Sequence, residues 1–183
     1  MDAFAIPVLP EPRDEASAGT KERFLDYLDF YRSAIAVKLD GLSDADLHSS
    51  NLPSGWSPLE LLLHLVFMER RWLRWRFLGE DIDDPQGDDG SDGRWTLRGD
   101  DTLAGLLSAL AAGGQRTRTI VEAADLTDLA AGGAEALGGS PPPTLEWILF
   151  HVLQEYARHA GHLDVVRELI DGRVGEDEVP EEV

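Results

Sequence analysis

The sequence predicts an all-α protein built as a four-helix bundle. Three observations carry that expectation. Four long stretches repeat apolar residues at spacings of three and four, the period of an amphipathic helix. Three of them open on a capping residue, and three end just before a glycine. No stretch alternates apolar and polar residues as a half-buried strand does.

The first helix is expected from about Thr20 to Leu39, with Phe24, Leu25, Leu28, Tyr31, Ile35 and Leu39 on its apolar face and Gly41 as its stop. Residues 1–18, with Pro7, Pro10 and Pro12, read as a flexible N-terminal segment. Ser43 to Leu47 fits a single short turn. Ser57-Pro58-Leu59-Glu60 combines an N-cap serine, a first-turn proline and a Glu three residues after the cap, so the second helix starts there and runs to about Leu78, before Gly79. Asp81 to Asp101 is rich in Gly and Asp and reads as a loop, with Trp95 and Leu97 tucked back onto the bundle. The third helix is capped by Asp101 or Thr102 and reaches about Ala124, although Gly113-Gly114 weakens its middle by about 1 kcal/mol each. After a second loop over 127–143, Thr144 caps the longest helix, which ends at Asp171-Gly172. The domain thus spans 19–172, followed by an acidic tail over 173–183.

A chain of 183 residues suits one domain. Its 16 Lys and Arg against 35 Asp and Glu give a net charge of −19, which argues against nucleic acid or an anionic membrane as partner. The absence of cysteine excludes disulfides, an internal thiolate nucleophile and Cys-ligated zinc, so any metal relies on His, Asp or Glu. The N-terminus lacks the basic and apolar regions of a secretory signal, and no apolar run nears the roughly 20 residues of a membrane span. A cytoplasmic protein acting on a small molecule is the expectation.

Chemistry appears where the apolar pattern is broken. On the fourth helix, Leu145, Ile148, Val152, Tyr156, Leu163, Val166 and Ile170 share one face, and Glu155 and His159 fall inside it, one turn apart. His151 and His162 flank it. On the second helix His64 lies among Leu61, Leu65, Met68, Trp72 and Trp75, with Arg71 close by. Burying a carboxylate and two imidazoles without partners costs several kcal/mol. A divalent cation satisfies all three, and two nitrogens with one oxygen suit zinc, nickel or iron(II) with positions left for water or substrate. A lone core histidine is more often hydrogen-bonded than a ligand, and a lone Glu-x-x-x-His pair is usually a surface pair; the coincidence of both on inward faces favours a metal. Spacing alone leaves Glu155 and His162 equal as third ligand. Trp72, Trp75 and Trp147 follow helical spacing and are expected in the core, while Arg70, Arg74 and Arg76 are expected on a solvated face paired with acids.

The segments GWSPLELLLHLVFMERRW and TLEWILFHVLQEYARHAGHLDVVRELIDG resemble the DinB-like metal-binding four-helix-bundle superfamily, and within it the actinobacterial mini-circle protein branch, over about Glu22 to Gly172. The resemblance implies an up-down-down-up bundle, often dimeric, with one metal. The related mycothiol-dependent maleylpyruvate isomerase holds zinc by a His and a Glu-x-x-x-His pair; by that similarity the ligands are His64, Glu155 and His159. It also implies chemistry on a low-molecular-weight thiol, whose thiolate the metal stabilises. The function expected is therefore a metal-dependent thiol S-transferase using mycothiol or a related cosubstrate on a small electrophile, with His162 (or His151) as proton shuttle and Arg71 as anion clamp. The alternatives are a non-catalytic, small-molecule-binding or sequestering bundle, and a purely structural dimer.

Overall fold

The computed structural model describes residues 6–12, 18–50, 52–132 and 141–175. Its helices are α1 (Thr20–Leu39), α2 (Asp44–His48), α3 (Pro58–Arg70), α4 (Leu103–Ala123) and α5 (Leu145–Ile170), and α3 continues as a π-helical segment over Arg71–Phe77. The described residues contain no strand, only isolated bridges between Asp89 and Trp95 and between Leu129 and Thr144. The all-α bundle expected from the periodicity is what forms. Parts of the expected N-terminal segment (1–5 and 13–17) and most of the expected acidic tail (176–183) lie outside the described residues.

Each long helix starts where its capping chemistry lies. The Ser57 hydroxyl accepts from the Glu60 N–H at 3.3 Å, and the Glu60 carboxylate accepts from the Ser57 N–H at 2.7 Å, so two otherwise orphaned donors are satisfied reciprocally. The hydroxyls of Thr102 and Thr144 accept from Gly105 and Trp147 in the same way.

The helices α1 and α3 each pack against both α4 and α5. Leu28, Ile35, Leu61, Leu65, Leu110, Val121, Ile148, Val152 and Leu163 close the interior between them. Burial of each contributes about 1.5–3 kcal/mol. One polar knot crosses this core. Glu69 of α3 is buried and accepts from Arg32 Nε at 3.1 Å, from Tyr156 Oη at 2.5 Å and from Thr117 Oγ1 at 2.5 Å, so one carboxylate ties α1, α4 and α5 to α3. Gly114 makes room for this arrangement, since a Cβ there would stand 3.0 Å from Arg32 Nε. The Gly pair that weakens α4 locally thus admits an ion pair at its second member.

The π segment is a departure from the simple helix expected through Leu78. The Leu78 N–H reaches back five residues to the Leu73 carbonyl at 3.2 Å. The carbonyls of Arg76 and Phe77 accept instead from Gly132 and Ala131 at 2.8 and 2.9 Å. Gly132 passes so close that a Cβ would meet the Trp75 carbonyl oxygen at 2.3 Å. Residues 6–12 lie along α1, where the Leu9 N–H donates to Ser33 Oγ at 2.8 Å.

Trp147 corrects the expectation that it belongs to the core: it is 51% exposed, because it stands on the outer side of α5 and stacks on His151 rather than facing inward. Trp72 and Trp75 are half-buried. Among the described residues, no helix is long and apolar enough to cross a membrane.

Candidate metal centre

Two helices supply the centre. One turn of α5 brings Glu155 and His159 together, with His159 Nε2 3.2 Å from Glu155 Oε2. From α3, His64 Nε2 stands 3.9 Å from the same carboxylate oxygen. One ligand atom from each of the three residues lies within 4.8 Å of the other two. A tetrahedral zinc with bonds of about 2.0–2.1 Å separates its ligands by roughly 3.3–3.5 Å, so the triad would have to draw in by up to about 1.4 Å to close on an ion.

The outer contacts fit the same purpose. Asp88 is wholly buried, and its Oδ2 lies 2.9 Å from His64 Nδ1. A carboxylate only accepts, so Nδ1 carries a proton towards Asp88 and leaves Nε2, which faces Glu155, as the nitrogen whose proton a metal would displace. His159 also turns Nε2 to the centre, and its Nδ1 lies 3.3 Å from His162 Nδ1. Trp95 stacks on His64 with centroids 4.1 Å apart and planes 16° apart, closing one wall. The Asp-rich loop over 81–101 therefore delivers both Asp88 and Trp95 to the centre. On the other side, His151 Nε2 is 3.8 Å from Glu155 Oε1, and its ring packs on Trp72 and Trp147.

A family model described as mycothiol-S-transferase matches residues 23–172. The chain belongs to the mycothiol-S-transferase family. That family falls within the DinB-like superfamily, as the helix-two and helix-four segments imply. The match takes in α1 from Arg23 onwards, the other four helices and all three residues of the triad. No curated protein matches the sequence.

In this chain the electrostatics of the triad are set by its neighbours. Hydrogen bonds from His159 and then His64 hold the Glu155 carboxyl far below the usual range, against the opposing effect of burial. Burial works against a charged His64, but hydrogen bonds to Asp88 and Glu155 outweigh it and raise its pKa. Burial dominates at His159 and lowers its pKa despite Glu155. A carboxylate kept ionised beside two imidazoles is the donor set a divalent cation requires.

Arg71 goes elsewhere than the ligand centre. Its Nη1 donates to Asp88 Oδ1 at 2.9 Å, to Pro85 O at 3.1 Å and to Gln86 Oε1 at 3.1 Å. His162 stands beside His159 and against Trp56, at a centroid distance of 5.7 Å. Asp88 itself escapes sequence reasoning, since it is one of many acids in a loop without periodicity. The available signal was the demand of a buried His64 for an acceptor at Nδ1.

Proposed function

We propose that the chain is a metal-dependent thiol S-transferase that joins mycothiol, or a related low-molecular-weight thiol, to a small electrophile. The observation that carries this reading is the convergence of His64 Nε2, His159 Nε2 and Glu155 Oε2, with the outer nitrogen of each imidazole held by Asp88 or His162. Membership of the mycothiol-S-transferase family supplies the substrate class.

In this reading His64, Glu155 and His159 hold zinc, and Ni or Fe(II) fits the same donor set. A bound divalent cation supplies the Lewis acidity that lowers the pKa of a thiol at neutral pH. The chain has no cysteine, so the sulfur comes wholly from the cosubstrate. With an aryl chloride as acceptor, a C–S bond forms, the C–Cl bond breaks, chloride leaves and the thiol proton passes to a base. His151 flanks Glu155 and His162 flanks His159, so either imidazole takes that proton over a short path. Asp88 fixes the His64 tautomer, and Arg71 keeps Asp88 ionised and in place. Thiol chemistry of this kind belongs in a reducing compartment, which accords with a cytoplasmic location.

The test is elemental analysis of tag-free wild type beside His64→Ala and His159→Ala, followed by thiol-consumption assays over a panel of electrophiles. About one metal per chain in wild type, lost in both variants, together with metal-dependent thiol loss, is the expected outcome. A metal-loaded protein that consumes no thiol, yet is stabilised against heat by a ligand, would turn the reading to a sequestering module.

A further inference from the structure

Arg76 is the candidate left over once the centre is assembled. It was expected on a solvated face paired with acids. Arg74 does pair with Glu80, at 2.6 Å, and Arg71 with Asp88. The Nε and Nη1 of Arg76, by contrast, are buried without a hydrogen-bond partner among the described residues. Its guanidinium lies over the rings of Trp72 and Trp75, 4.9 and 5.4 Å from their centroids. Burial and then the charge of Arg71 both push its pKa down, and no acid among the described residues offsets them.

Buried unpaired donors of a half-buried cation are costly to keep, and stacking on aromatic rings satisfies none of them. An anion would satisfy them once a covering side chain turned aside, since neither atom is open to solvent as it stands. The position is also adjacent to the chemistry. The Trp72 ring lies 4.3 Å from the His151 ring, and His151 Nε2 lies 3.8 Å from Glu155 Oε1. Trp147, half exposed, stands 5.6 Å from Trp72 and parallel to His151. A line of aromatic rings, with Trp72 tilted by 52° and 55° to His151 and Trp147, therefore runs from the triad to a cation with unpaired donors.

We propose that Arg76, with Trp72 and Trp147, forms an anion subsite beside the metal centre that binds an aromatic carboxylate, the ring lying on the tryptophans and the carboxylate on the guanidinium. The identification of this ligand as the electrophilic substrate rests on the thiol-transfer reading; the subsite itself does not.

Benzoate and its neutral isostere benzamide test the subsite on the full chain, by tryptophan fluorescence and by calorimetry, with metal-loaded and metal-free protein. Benzoate is expected to bind at one site per chain at least tenfold more tightly than benzamide. Arg76→Met should abolish that preference, and Arg76→Lys, which retains the charge, should keep most of it. Equal binding of benzoate and benzamide, or an undiminished preference in Arg76→Met, overturns the subsite. If Arg76→Met fails to fold, the benzoate-to-benzamide ratio in wild type and in Arg76→Lys decides: a ratio near one in wild type, or loss of the preference in Arg76→Lys, refutes it. Thiol assays with an aryl chloride bearing a carboxylate, against one without, then separate the two ideas. An Arg76-dependent benzoate site with no thiol transfer removes the enzymatic reading and leaves the subsite standing. Thiol transfer whose KM for the carboxylated acceptor is unmoved by Arg76→Met leaves the enzyme and removes the identification of the subsite's ligand as its electrophile.

Discussion

Replacing Asp88 by Asn tests whether a loop carboxylate controls the metal ligand it touches. The two side chains have nearly the same shape, so packing around this wholly buried position is kept. What changes is the charge in the bond to His64 Nδ1, 2.9 Å, and in the pair to Arg71, also 2.9 Å. The amide oxygen serves only one of these donors well, and its NH2 faces the other. Loss of such an outer partner lowers metal affinity about 10–100-fold, which corresponds to roughly 1.4–2.7 kcal/mol. A separate effect falls on the fold, because Arg71 loses its carboxylate but keeps the Pro85 carbonyl and Gln86. Breaking a buried ion pair costs about 3–5 kcal/mol, and these two remaining acceptors place Asp88→Asn near the lower limit. A chain of this length has an unfolding entropy near 0.4 kcal/mol/K, so metal-free Tm should fall by about 8 °C. Zinc affinity is measured by competition with a chromophoric chelator at a temperature where both proteins are folded. A variant whose affinity stays within threefold of wild type refutes the claim that Asp88 holds His64 for the metal, whatever happens to its Tm.

Glu69→Gln removes the charge paired with Arg32 and turns one of the two oxygens that serve Arg32, Thr117 and Tyr156 into an NH2; it should cost about 3–5 kcal/mol, seen as a Tm lower by roughly 8–13 °C. Burial opposes the charge of Glu69, but Arg32, Thr117 and Tyr156 together lower its pKa from 4.5, so its contribution is full above that value and fades as pH falls towards the folded value; acid titration of stability should be shallower in Glu69→Gln than in wild type. Gly132→Ala sets a methyl group 2.3 Å from the Trp75 carbonyl oxygen and should destabilise by about 1–3 kcal/mol in urea unfolding, with the m-value unchanged. Ser57→Ala deletes one half of the α3 capping box and should cost about 1 kcal/mol by the same assay.

Much of this molecule was legible because its signals are local. Ser57, Thr102 and Thr144 mark helix starts through hydrogen bonds that span three residues, and the sequence places those residues side by side. His64, Glu155 and His159 were visible as polar interruptions of apolar faces, which needs only the helical period. What stayed hidden depends on contacts distant in sequence. Asp88 joins His64 across 24 residues, from a loop whose acids look alike until the chain folds. Glu69 draws no notice in the sequence, because its partner Arg32 lies 37 residues away. Trp147 misled for another reason: it groups with Trp72 and Trp75 as a core aromatic, although at about 100° per residue it lies roughly 140° from Val152, and its ring leans outward onto His151.

The wide turn after Arg70 also acts on rotational phase. A plain α-helix advances about 100° per residue, so twelve steps from His64 would carry Arg76 roughly 120° round the axis, away from the centre. The π segment takes up about one residue within its wider loops, which brings that angle back to roughly 20°. The helix thus absorbs a surplus residue as a local dislocation rather than as a twist passed down its length. Arg76, near the end of the segment, thereby keeps nearly the azimuth of His64, and a single continuous rod presents the two in the same direction.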